Sequence, residues 1–324
     1  MIETRHVRLA VTAMIFIAPA LVFAQAASYP TRAVKVIVAV SPGGTPDILA
    51  RLLSAKLSQR IGQQFIVENR VGAGGNIAAE AAAKAPADGY TLFFPANAVL
   101  TLNPAVYDRP GFDPIKDFAP ISIMGTGGYF FLACPNVPAR SMQEVVALAK
   151  QRPLTYATAG HGTSHHLAGE MLNRIAGIEL THVPYKGFGQ GVTDALGCKV
   201  DLIVGAVASS LPYAKAGRLH ALAVTSASRF GGMPEVPTMI ESGFPGFEVD
   251  AWYSLLAPVR TPRPIIDRLN AEMVGVVKEK DMIERLREQG LEAVGNTPEE
   301  FTALLRAEVE KSRKLVAALG LKAD

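Results

Sequence analysis

Three glycine-rich turns hold the residue types best suited to chemistry in this sequence: SPGGTPD at Ser41–Asp47, GAGGN at Gly72–Asn76 and GHGTSHH at Gly160–His166. Each falls between a strand-like run and a helical run. Such a turn directs backbone N–H groups out of a helix N-terminus, where the macrodipole favours negative charge. Glycine removes the side chain that would hold a ligand away from the backbone. Any one of these turns also reads as an ordinary tight turn with a helix cap. Three together predict a site for a carboxylate or phosphate.

The catalytic motifs are incomplete. Neither Gly72 nor Gly160 opens a GxGxxG followed by an acidic residue placed to hold a ribose, and no GxxxxGK[ST] loop occurs. Ser164 stands beside His165 but lacks the GxSxG elbow of a hydrolase. His161 and His165 have the i, i+4 spacing of two metal ligands on one helix face. Gly160 and Gly162, however, put His161 in the loop before the helix, and neither a Cys nor a nearby carboxylate completes a tetrahedral set. The expectation is a binding protein with no catalytic residues, no metal and no cofactor. Cys134 and Cys198 either pair or stay as buried thiols; spacing alone does not choose between these.

The elements that must position these turns alternate between strand and helix. Val34–Val40, Gln64–Glu68 and Thr91–Pro95 read as strands, separated by helices at Asp47–Ile61 and Ile77–Lys84. The pattern restarts after a glycine-rich junction at Gly125–Gly128. Strands follow near Tyr129–Ala133, Leu154–Ala157, Thr181–Val183, Asp201–Gly205, His220–Thr225 and Trp252–Ala257, with helices at Met142–Lys150 and Ser164–Ile175. This is the α/β class with parallel βαβ units. The last 60 or so residues read as helical throughout, with no strand of their own to cover. They must therefore pack on one of the two α/β units, most economically the first. Residues 27–127 with 254–324 then form one discontinuous lobe and 128–253 a second, joined by two crossing strands.

At the N-terminus, Arg5, His6 and Arg8 precede an apolar run from Leu9 to Val22, then Ala24-Gln25-Ala26. That order predicts a signal peptide over residues 1–26, cleaved near Ala26, and a periplasmic product starting at Ala27. A run of about 14 residues is short of the roughly 20 needed to span a bilayer. Loss of Glu3, Arg5 and Arg8 lowers the net charge from +3 to +2. Neither that balance nor any Lys/Arg run suits a nucleic-acid partner.

Eight segments in order resemble one family: YP at Tyr29, PGGxxD at Pro42–Asp47, VENRVGAGGN at Val67–Asn76 and DGYTL at Asp88–Leu92, then DPIKDF at Asp113–Phe118, GHGTSHHL at Gly160–Leu167, HVPYKG at His182–Gly187 and VPTMIESG at Val236–Gly243. The chain is similar to the Bug-type (Bordetella uptake gene) substrate-binding receptors of tripartite tricarboxylate transporters. The resemblance implies a two-lobed periplasmic binding protein fold, type II-like and closing as a Venus flytrap. It also implies a small mono-, di- or aromatic carboxylate held between the lobes, for delivery to the transporter's membrane permease subunits by a monomer.

By the same likeness, Pro42, Gly43, Gly44 and Asp47 form the first ligand loop, and Ala96 and Asn97 follow the third strand. Gly160, Thr163 and Ser164 form the loop that receives the carboxylate. His166 fills the family's usual His position, while His165 stands at a variable one and tunes ligand choice. Tyr185, Lys186 and Asp201 also fall on family-typical positions. Asp47 reads equally as a helix N-cap, and Lys186 as a solvated surface cation. Two rival functions remain: a sensory module docking on a membrane kinase, and a secreted hydrolase using Ser164 with His165.

Overall fold

The computed structural model describes residues 29–320. The expected signal peptide and the mature start at Ala27 lie outside the described residues.

The β-branched run VKVIV forms β1 (Val34–Val38), nearly all buried. Helix α1 (Thr45–Ile61) follows, burying Leu49, Leu53 and Leu57 at a four-residue repeat and ending on Gly62 in the left-handed conformation. β2 (Phe65–Asn69), α2 (Asn76–Ala83) and β3 (Thr91–Phe94) complete a unit in which β1 pairs parallel with both β2 and β3. Two short helices, α3 (Asn97–Thr101) and α4 (Asn103–Val106), lead into the long strand β4 (Phe118–Ala133).

The second unit repeats the theme. It runs α5 (Met142–Ala149), β5 (Leu154–Thr158), α6 (Ser164–Ala176), β6 (Leu180–Pro184), α7 (Phe188–Leu196), β7 (Leu202–Ala206), α8 (Val207–Lys215) and β8 (His220–Val224). β5 pairs parallel with β6 and with β7. After β9 (Asp250–Pro258) come α9 (Arg263–Val277), α10 (Lys280–Glu288), β10 (Leu291–Ala293) and α11 (Pro298–Leu319). The strand order is β2-β1-β3-β9-β4-β7-β5-β6, with β8 and β10 both pairing on β4. The fold is a two-lobed α/β periplasmic binding protein fold, and β4 belongs to both parts of its sheet. Residues 118–128 of β4 pair antiparallel with β9, and residues 129–133 pair with β7.

Three details differ from the sequence reading. Gly125–Gly128 do not break the chain but lie inside β4. A Cβ on Gly127 would sit 2.5 Å from the Gly290 carbonyl oxygen, and one on Gly128 would sit 2.8 Å from Ser226 Oγ. These glycines serve close backbone approach, and a turn is not what requires them. The C-terminal segment is not wholly helical, because β10 pairs antiparallel with β4 at Gly125–Gly127. The first helix likewise starts at Thr45, with Gly44 as N-cap, two residues earlier than read.

The C-terminal helices pack on the first part of the sheet. α11 opens with a capping box between Thr297 and Glu300 and buries Phe301, Leu305 and Val309, Phe301 meeting Trp252 edge-on at 5.4 Å. Burying such a Phe stabilises by roughly 2–3 kcal/mol. Cys134, just past β4, is disulfide-bonded to Cys198, just before β7, with Cα atoms 5.4 Å apart. The pairing of Ala133 with Leu202 brings them together. Cys198 holds φ at +52°, the region that favours glycine. Among the described residues, no helix is long and apolar enough to cross a membrane.

Candidate functional site

The first loop leaves β1 at the C-terminal end of the sheet and enters α1. Gly43 has φ at +84°, and Gly44 is the helix N-cap. Asp47, in the first helical turn, folds back on this loop. Its carboxylate accepts from the Gly43 N–H (3.0 Å), from Asn69 Nδ2 (2.8 Å) and from the Arg51 guanidinium (2.8 Å). Burial works to raise its pKa; the hydrogen bonds from Arg51, Gly43 and Asn69 outweigh that and hold it below the usual carboxylate range. The Gly44 N–H donates to the Ser41 carbonyl at 3.2 Å. Both glycine N–H groups are therefore engaged within the loop, and Asp47 is a brace for it.

The second loop leaves β5 and enters α6. Thr163 is the N-cap, accepting from the His166 N–H (3.3 Å) and donating to the Gly160 carbonyl (2.7 Å). Gly160 and Gly162 have φ at +116° and +71°. Ser164, 3% exposed, opens the helix next to the Tyr129 phenol. His165 packs edge-on against the Tyr129 ring at 4.7 Å, and its Nδ1 is buried with no hydrogen-bond partner. Burial lowers the His165 pKa to about 4, so the ring is neutral at pH 7. His165 Nδ1 makes no hydrogen bond to Ser164, whereas an activated serine nucleophile is hydrogen-bonded to its base.

Two strand tyrosines close the set from below. Tyr129 on β4 and Tyr253 on β9 are each 2% exposed, and burial pushes both phenols well above their ordinary range. The Thr45 hydroxyl, at the first position of α1, is buried beside the Tyr253 phenol, and their interaction works to lower the Tyr253 pKa against the larger effect of burial. Ala96 bridges to Tyr253 across the sheet. Asn97 donates from Nδ2 to the Asp250 carbonyl at 3.0 Å. The N-termini of α1 and α6 thus converge with two crossing strands on a buried group of uncharged polar side chains. Neutral donors and helix N-termini stabilise an anion without the desolvation cost of burying a second charge.

The two parts of the chain touch around this group. The Tyr107 hydroxyl donates to the His161 carbonyl at 3.3 Å. A Cβ on Gly74 would lie 3.0 Å from that same carbonyl, and one on Gly187 would lie 2.7 Å from Ser41 Oγ. The loops after β1, β2, β5 and β6 therefore meet over the interior.

Among the residues singled out from sequence, Pro42, Gly43, Gly44, Ala96, Asn97, Gly160, Thr163, Ser164 and His165 all stand at this convergence or on the loops that build it. Tyr185 stands at its edge, its hydroxyl donating to Asp194 at 2.9 Å. Lys186 is exposed. Asp201 is the exception. It precedes β7 and accepts from the Thr155 N–H and hydroxyl at 2.9 Å and from Arg152. This is the opposite end of β5 from Gly160, five residues or about 16 Å away. Asp201 pins the start of two strands and lies away from the convergence. Thr45, Tyr129 and Tyr253 escaped the sequence reading, because a hydroxyl inside a short strand-like or turn-like run carries no local signal of its partners.

The histidines also regroup. His165 turns to Tyr129, while His161, His166 and His182 stack together. His166 and His182 are 4.2 Å apart and near parallel, with His161 edge-on to both. Burial lowers the pKa of His166 to about 4 and that of His182 to about 3, with neighbouring histidines adding to the effect.

Two lobes, two crossing strands and an interior of uncharged donors at helix N-termini define a solute-binding protein of the periplasmic type. Residues 49–321 match the family model described as Tripartite tricarboxylate transporter family receptor, and the chain belongs to that family. It is 33% identical over 313 residues to the protein BugT of Bordetella pertussis, covering 95% of this chain and 96% of BugT. Among solved structures, it is similar to Rpa4515 of R. palustris with adipate (35% identity, TM-score 0.88, covering 91% of this chain and 99% of that one). It is also similar to MatC from Rhodopseudomonas palustris with bound malate (30% identity, TM-score 0.85, covering 89% and 100%).

Proposed function

We propose that this protein is an extracytoplasmic receptor that captures a small organic carboxylate between its lobes and hands it to the membrane permease subunits of a tripartite transporter. It acts by binding, without turnover, as a periplasmic monomer. Its lobes, residues 27–127 with 254–324 and residues 128–253, rotate about the crossing strands β4 and β9. The carboxylate is received by the loops at Pro42–Gly44 and Gly160–Ser164, with His165, Ala96, Asn97 and Tyr185 around it and Asp47 bracing the first loop.

The observation that carries this reading is the buried His165 Nδ1, left without a hydrogen-bond partner beside the Tyr129 phenol where the α1 and α6 N-termini converge. Buried polar groups are almost always hydrogen-bonded, so an orphan among the Thr45, Ser164, Tyr129 and Tyr253 hydroxyls argues for a polar ligand there. The relatives with adipate and with malate support dicarboxylates as the first class to try.

A thermal-shift screen against mono-, di- and aromatic carboxylates tests this directly. A ligand that binds only the folded chain stabilises it by RT ln(1 + [L]/Kd), about 2.7 kcal/mol at a hundredfold excess over Kd. Stabilisation by one carboxylate class, with the ligand recovered unchanged, supports the proposal. No response to any carboxylate, or conversion of one, overturns it.

A further inference from the structure

We propose that His161, His166 and His182 form a binding site for a divalent transition-metal ion of the Zn2+ class, built from the Gly160–Ser164 loop, the start of α6 and β6. One ring nitrogen from each residue lies within 4.8 Å of the other two. Three nitrogens around a tetrahedral Zn2+ at about 2.0–2.1 Å stand roughly 3.4 Å apart. The widest gap must therefore close by up to about 1.4 Å, and the stacked His166 and His182 rings, 16° from parallel, must turn so that their planes converge on one ion. Imidazole nitrogens suit Zn2+, Cu2+ or Ni2+, whereas Mg2+ and Ca2+ prefer oxygen.

The three ligands arrive from distinct, well-held places. His166 sits in the first turn of α6 and is 7% exposed. His182 lies mid-strand in β6, paired with Tyr156 of β5, and its ring stacks on the Tyr156 ring at 5.0 Å. His161 is in the loop, with Nδ1 buried and lacking any hydrogen-bond partner. A buried ring nitrogen without a partner, on a ring packed against two other imidazoles, has room in its hydrogen-bonding inventory for a ligand.

The surroundings resemble those that orient metal-binding histidines. Thr158 Oγ1 lies 2.6 Å from His182 Nε2 and fixes that ring. Glu170 Oε1 is 4.0 Å from His166 Nε2 and is itself held by the Tyr156 hydroxyl at 2.5 Å. Its carboxylate partly offsets the charge of a bound dication. Three protein ligands leave a fourth position for water or another exchangeable group. Because the His161 carbonyl also accepts from Tyr107, a metal here tethers the very loop that contacts the other lobe. The site does not depend on the carboxylate reading, and its test contains no carboxylate.

The chelator-treated, mature full chain is titrated with ZnCl2 by calorimetry, and Co2+ is added separately to record the visible absorption of a tetrahedral nitrogen site. One ion per chain at micromolar affinity or tighter is expected. His161→Ala and His166→Ala should each weaken binding at least about tenfold, and His220→Ala, outside the cluster, should leave it unchanged. His182→Gln keeps a hydrogen-bond partner for Thr158 while removing the imidazole, so it tests ligation in a folded chain. It should lose the Co2+ band. Absence of saturable Zn2+ binding, or full affinity in His161→Ala and His182→Gln, would show that the three rings merely pack against one another.

Discussion

Replacing Asp47 by Ala should cost far more than loss of a surface charge, because the carboxylate is 3% exposed and braces a loop. Its removal deletes the charged acceptor of the Gly43 N–H and of Asn69 Nδ2. Hydrogen bonds to charged groups contribute roughly 1.5–3 kcal/mol each. Both donors recover part of that loss, Gly43 by being exposed to water and Asn69 through its bond to the Val40 carbonyl. A negative charge in the first turn adds about 0.5 kcal/mol through the helix dipole. The Arg51 partner is 53% exposed on its side chain, so its pair contributes at most about 1 kcal/mol. The expected loss is about 2–4 kcal/mol for Asp47→Ala, against less than about 1 kcal/mol for Arg51→Ala.

Urea unfolding followed by circular dichroism measures both, as a lower midpoint at constant slope. The sign of the pH dependence follows from the lowered pKa. The stabilisation is present above the unfolded carboxyl value near 4 and is lost as pH falls through the lower folded value. The variant's stability should therefore be flatter on the acid side than the wild type's. Equal losses for Asp47→Ala and Arg51→Ala would refute the brace and leave only a surface ion pair.

Four further outcomes are expected. Tyr253→Phe should weaken carboxylate binding by roughly tenfold, the value of one hydrogen bond of about 1.4 kcal/mol, while the fold survives; unchanged affinity in calorimetry removes Tyr253 from the site. Serine at both Cys134 and Cys198, which close a loop with a sequence separation of 64, should cost about 4 kcal/mol in chemical unfolding, and a loss under 1 kcal/mol contradicts that. Asp250 has its pKa raised to about 6 by burial, with Glu248 adding to it, so its contribution is present below pH 4 and lost as pH rises through about 6. Asp250→Asn should remove that decline, and an identical profile in the two proteins would clear Asp250 of any part in it. Finally, if a carboxylate contacts both lobes it must favour the closed form, so X-ray scattering should give a smaller radius of gyration with ligand than without; an equal radius argues for a rigid cleft.

The amino-acid order was enough to place most elements and the turns between them, because periodicity and turn chemistry are local. VKVIV reads as a buried strand, Leu49, Leu53 and Leu57 as one helix face, and Gly43 and Gly160 as backbone points that take positive φ. It was also enough for the family, since eight short segments stand in one order. What only the tertiary structure decided is which polar groups meet. Asp47 and the Gly43 N–H satisfy each other. Asp201 sits at the far end of β5 because the parallel pairing of β5 with β7 puts their starts side by side. Thr45, Tyr129 and Tyr253 come from three distant segments and converge only because β4 and β9 cross between the helix N-termini. His182 joins His161 and His166 through the register of β6 on β5, and Cys134 reaches Cys198 through that of β7 on β4. Contacts between residues tens of positions apart depend on strand register and helix packing, which are settled by burial of the whole core, and no local spacing in the chain records them.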